Sequence, residues 1–109
     1  VSHPVRDLDE VVHQRVRLGI LAVLAETRKA DFTFLRTTLE LTDGNLSRHL
    51  QVLEASGYVA VEKTFERRRP RTWVRATREG QAAFAREVAA LRELLYRVDQ
   101  AGDPDDRSQ

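Results

Sequence analysis

Between positions 42 and 77 the apolar and polar positions divide the chain into a short helix, an abrupt stop and an extended ribbon. Leu46, Leu50 and Leu53 are four and three residues apart, which stacks them on one helix face and turns Asp43, Asn45, Ser47, Arg48 and Gln51 away from it. Gly57, after Ala55-Ser56, supplies the residue that can turn left-handed and close the last helical turn. Tyr58-Val59-Ala60-Val61 and Thr72-Trp73-Val74-Arg75 are rich in β-branched and aromatic residues, as strands are. Between them, Arg67-Arg68-Arg69-Pro70-Arg71 predicts a basic tip, with Pro70 favouring a turn over a continued strand.

The flanking segments read as helices. From 8 to 26, Leu8, Val12, Val16, Ile20 and Val23 form one stripe and Val11, Leu18, Leu21, Ala22 and Ala25 another, an arc wide enough to face both a domain and a partner. Residues 28–31 break that pattern. A second helix is predicted over 32–41, capped by Asp31 or Thr33, with Phe32, Leu35 and Leu39 inward; Thr42 or Asp43 would cap the third. The last helix should start after Thr77 and run to about Gln100, with a seam of Phe84, Val88, Leu91, Leu95 and Val98. The expected fold class is mainly α with a small β-hairpin (α+β). Residues 1–7 are expected to be a flexible arm, 8–100 one domain, and 101–109 an acidic flexible tail.

A chain of 109 residues holds one small domain with a modest core, so a second subunit could usefully cover apolar surface. The formal charge is only +1, but it is unevenly spread. Lys63, Arg67, Arg68, Arg69, Arg71, Arg75 and Arg78 outweigh Glu62 and Glu66, whereas 99–109 carries four aspartates and one arginine. A polar-faced helix followed at once by an arginine-tipped hairpin suits the holding of duplex DNA. With no cysteine there are no disulfides or thiolate metal sites, and a reducing cytoplasm fits. No apolar run approaches a membrane span, and no signal-peptide core opens the chain, so a cytoplasmic protein without membrane attachment is expected. The initial Val1 leaves the true termini open.

The order helix, helix-turn-helix, hairpin, long helix resembles the winged-helix transcriptional regulators of the MarR and ArsR type. Three stretches carry the likeness: His13-Gln14-Arg15-Val16-Arg17-Leu18-Gly19-Ile20-Leu21, similar to the family's first helix; Leu46 through Val59, similar to its recognition helix and exit; and Arg71 through Gly80, similar to the strand that runs into its last helix. The resemblance implies a dimeric repressor or activator that answers to a small molecule, metal or protein effector. The metal-sensing branch uses cysteines near the recognition helix or histidine and carboxylate sets on the last helix. This chain has no cysteine and no histidine beyond His49, which disfavours metal sensing.

On this reading Asn45, Ser47, Arg48 and Gln51 approach base edges in the major groove, Arg48 suited to guanine and Asn45 or Gln51 to adenine. Thr42 and Ser47 could bond phosphates. Arg67, Arg68, Arg69 and Arg71 would lie over phosphates or in a minor groove, flanked by Lys63 and Arg75. Arg15, Arg17 and Arg36 are further backbone candidates, His13 a residue that could titrate at a subunit interface, and Phe65 and Trp73 packing residues. No nucleophile with a neighbouring base, phosphate-cradling glycine loop or cooperating carboxylate pair is evident, so neither an enzyme nor a cofactor is expected. The alternative is a winged helix that binds protein instead of DNA, although such a module has no need of so many wing arginines.

Overall fold

A computed structural model describes residues 3–102. Four α-helices, α1 (Arg15–Thr27), α2 (Phe32–Thr38), α3 (Asp43–Ala55) and α4 (Arg78–Ala101), accompany three strands, β1 (Lys29–Asp31), β2 (Val59–Glu66) and β3 (Arg69–Ala76). The sheet is antiparallel in the order β1-β3-β2. Its inner face contributes Ala30, Val59 and Val74 to a core completed by Ile20, Leu21 and Leu24 of α1, Leu35 of α2, and Leu46, Leu50 and Leu53 of α3. The three leucines of α3 are buried as their spacing predicts, and the outward positions 43, 45, 48 and 51 are exposed.

The chain before α1 departs from expectation. The 8–26 stripe is helical only from Arg15, because two side chains close the backbone earlier. Asp9 Oδ1 accepts from Val11 N at 2.8 Å and Val12 N at 3.1 Å, and Gln14 Oε1 then caps α1 by accepting from Val16 N and Arg17 N. The amino-terminal arm, expected to be free over 1–7, forms a short 3-10 helix at Pro4–Asp7 that lies against α4, with Pro4 buried. Residues 1–2 and most of the expected acidic tail, 103–109, fall outside the described residues.

Three further boundaries differ. The break at 28–31 contains β1, which extends the expected two-stranded ribbon to three strands; its three residues are too few to show a period. The second helix ends at Thr38, three residues early, and Asp31 is its cap. The ribbon runs further than predicted: Glu66 pairs with Arg69, so only Arg67 and Arg68 form the turn, and Pro70 sits inside β3 opposite Phe65. Pro70 is tolerated because the pair next to the closing pair of a two-residue hairpin needs no ladder bond from it, and β1 reaches only as far as Trp73. Thr42, Gly57 and Thr77 act as predicted: both threonine hydroxyls cap a helix, and Gly57 has φ +79°.

Candidate nucleic-acid interface

The two faces of the ribbon carry different chemistry, because opposed residues of an antiparallel pair share a face and successive residues alternate. On one face lie the pairs Val59 and Ala76, Val61 and Val74, Lys63 and Thr72, and Phe65 and Pro70. Near the body this face is core. Further out it turns toward α3: Val61, Lys63 and Thr72 line a groove of about 360 Å³ whose opposite wall includes Ser47, Gln51 and Glu54. The exposed edge of α3 and the basic ribbon thus stand on either side of one groove.

The opposite face is a polar staple. Arg71 donates from Nε and Nη2 to Asp31 Oδ2 at 3.0 and 2.8 Å and from Nη1 to Glu66 Oε1 at 3.3 Å. Trp73 Nε1 and Thr64 Oγ1 donate to Glu66 Oε2 at 2.8 and 2.7 Å. The Arg71 guanidinium and the Lys29 ammonium stand 4.4 and 4.5 Å from the Trp73 ring centroid. The bonds from Trp73 and Thr64, then Arg71, hold the Glu66 carboxyl below its ordinary value. At Asp31 the Phe34 amide does the same with help from Arg71, against burial. Because Asp31 also caps α2, this staple ties the wing to the helix-turn-helix.

Arg71, a phosphate candidate on sequence, already has partners within the chain, on the face turned from the groove. Lys63, Arg67, Arg68 and Arg69 have no carboxylate within ion-pair distance among the described residues. On α3, Arg48 Nη2 donates to Asn45 Oδ1 at 2.9 Å, pre-orienting two base-reading candidates as a unit, while Ser47 and Gln51 line the groove. Thr42 is occupied as a cap, and Asp43 pairs with Arg36 at 2.7 Å. Arg17 donates to Val11 O and to His49 Nδ1, which makes His49 a neutral acceptor; burial first, then Arg17 and Arg48, keeps its pKa below 6.5.

A family model described as the winged helix DNA-binding domain matches residues 16–95. The chain belongs to that family. The winged helix is 32% identical over 90 residues to an uncharacterized protein of Methanocaldococcus jannaschii, covering 83% of this chain and 98% of that one. A transcriptional regulator homologue from Pyrococcus horikoshii superposes with a TM-score of 0.84 at 33% identity, covering 90% of this chain and 99% of that one. A MarR-family regulator from Silicibacter pomeroyi shares the fold, with a TM-score of 0.65 at 24% identity over 97% of this chain and 70% of that one. The family is a DNA-binding domain, and the fold it shares with the Pyrococcus horikoshii protein is that of a transcriptional regulator, not of an enzyme. Among the described residues no helix is long and apolar enough to cross a membrane.

One polar cluster near the site was not read from the sequence. Glu87 of α4 is fully buried; it accepts from Asp9 N at 2.9 Å, and its Oε2 lies 2.7 Å from His13 Nδ1. Asp9 Oδ2 in turn accepts from Tyr58 Oη at 2.9 Å. His13, which on sequence could have faced a subunit interface, pairs with Glu87 of its own chain. The signal was present: Gly80, Ala83 and Ala90, small residues at helical spacing, mark the side of α4 that approaches the body closely, and Glu87 falls on that same side.

Proposed function

We propose that this winged helix regulates transcription as a homodimer that reads a pseudo-palindromic duplex site. In this reading α3 enters the major groove, with Asn45, Ser47, Arg48 and Gln51 toward base edges. The wing lies on flanking backbone and minor groove through Lys63, Arg67, Arg68 and Arg69. The observation that carries it is the shared groove: the polar edge of α3 faces Lys63 and Thr72 of the wing across it, with the unpaired Arg67, Arg68 and Arg69 beyond at the wing's tip, and a phosphate backbone passing through would meet Ser47, Lys63 and Thr72. Arg71 serves the same function indirectly, by fixing the wing's angle.

Support for the homodimer comes from α4. Its 24 residues span roughly 36 Å, and its carboxy-terminal part leaves the body. There Leu95 and Val98, three apart on one helix face, are each 62% exposed, and Tyr96 beside them is 59% exposed, apolar surface of the kind a second copy covers. A small-molecule effector is supported by a cleft of about 610 Å³ between α1, β3 and the start of α4. Leu21, Leu24 and Phe84 give it apolar walls, and Arg28, Arg75 and Gln81 give it polar groups suited to an organic anion.

The test is binding of purified protein to its own upstream DNA against scrambled DNA over a salt series, with sedimentation of the complex. Sequence-dependent binding that weakens steeply with salt, two chains to a site, is expected. Absence of binding at low salt would favour the protein-interaction alternative.

A further inference from the structure

The wing ends in an apolar tooth as well as in charge. Phe65 is 71% exposed, more than any other large apolar residue among those described, although sequence reasoning assigned it to packing. Its cross-strand neighbour is Pro70, and both stand on the groove-facing side of the ribbon, one pair beyond Lys63 and Thr72. Arg67, Arg68 and Arg69 adjoin it at the turn. An exposed phenylalanine at a hairpin tip is costly in water and prone to sticking. It is useful where the tip enters a cleft that is anionic at its rim and apolar within, as the minor groove is, with phosphates along its edges and stacked bases at its floor.

We infer that Phe65, backed by Pro70, is a wedge that enters the minor groove beside each half-site and partly unstacks one base step while the turn arginines hold the flanking phosphates. This rests on the DNA-binding reading above and adds a specificity determinant to it. A wedge is tolerated best where the duplex is easily kinked, so the site should carry a flexible pyrimidine–purine step beneath the wing. Sequence preference would then arise at a position that no hydrogen-bonding side chain reads.

The test uses the full chain on the duplex that the wild-type protein selects from a random pool. It compares wild type, Phe65→Ala, Phe65→Leu and Arg67→Asn/Arg68→Gly, reading affinity, salt slope and the fluorescence of 2-aminopurine scanned across the wing position. Phe65→Ala should bind about 10- to 100-fold more weakly with an unchanged salt slope and lose the fluorescence rise of unstacking; Phe65→Leu should keep most of both. Replacing the flexible step by a stiff A-tract should weaken wild type but leave Phe65→Ala unchanged. The wedge is overturned if Phe65→Ala matches wild type in affinity, or if affinity falls while no base unstacks even with wild type. Failure of the wild-type protein to select or bind any duplex would overturn the DNA reading itself, and the wedge with it.

Discussion

Arg67 and Arg68 form the two-residue turn with φ of +51° and +63°, a left-handed pair that hairpins of this length normally build from Asn-Gly. Holding two arginines there costs about 1 kcal/mol apiece. Arg67→Asn/Arg68→Gly relieves that strain, and the greater unfolded-state freedom of glycine takes back about half, leaving a net gain of about 1 kcal/mol. For a domain of this size the melting temperature should rise by roughly 4–8 °C. Binding should move the other way. If Lys63, Arg67, Arg68 and Arg69 each neutralise one phosphate, affinity per wing falls about 150-fold between about 50 and 200 mM salt; with two contacts removed it falls about 12-fold. Thermal melts followed by circular dichroism and fluorescence anisotropy over the salt series read both quantities. The reasoning fails if the variant melts lower than wild type, or if it melts higher and its salt slope is unchanged.

Arg71→Ala should behave differently from the turn variant: affinity drops because the wing loses its angle, yet the salt slope holds, and amide exchange speeds up along β2 and the outer half of β3. Glu87→Leu leaves the part-buried Asp9 N–H without its acceptor and releases the half-exposed His13, and should cost about 1–3 kcal/mol by urea denaturation, whereas Glu87→Gln, whose amide oxygen still accepts from Asp9 N, should cost less. Gly80→Ala would place a Cβ 1.9 Å from Tyr58 O, so a substitution that ordinarily favours a helix by about 1 kcal/mol should here destabilise by about 2 kcal/mol or more in the same assay. His49 binds its proton less readily folded than unfolded, so its contribution to stability is full above pH 6.5 and declines as pH falls through its lower folded value; melts of His49→Gln should lack that slope.

The parts of the fold legible in the sequence were those fixed by neighbours in the chain. Leucine spacing gave the buried face of α3, threonine hydroxyls its start and that of α4, and Gly57 its exit. Residues 8–14 misled because Leu8, Val12 and Val16 have helical spacing while Asp9 and Gln14 spend their side chains on turning the backbone. Within the site, the basic character of the wing was readable, but the division of its arginines was not. Arg71 is set apart by Asp31, forty positions away, and by the strand register that puts both on the outer face. The seam expected on α4 is offset from the buried face: Gly80, Ala83, Glu87 and Ala90 meet the body, which leaves Leu95 and Val98 exposed.

That offset bears on how an effector could reach the DNA-binding surface. Helix α4 meets the body where α3 ends: Thr77 N donates to Tyr58 O at 3.0 Å and Thr77 Oγ1 to Gly57 O at 2.6 Å, while Gly80 lies directly against the Tyr58 carbonyl. Only Ser56 and Gly57 separate that anchor from the last turn of α3. A rotation of α4 therefore cannot be absorbed by a long linker; it must move the exit of the recognition helix or break the Asp9, Tyr58, Glu87 and His13 chain that clamps the amino-terminal segment across it. The wing's own angle, by contrast, is referred to α2 through Asp31 and Arg71. Helix α3 and the wing are thus braced from different sides of the domain, and the cleft beneath α4 is lined by α1 and by Arg75 and Ala76 of β3, so in the proposed effector reading a bound molecule would bear on α4 and on the base of the wing together.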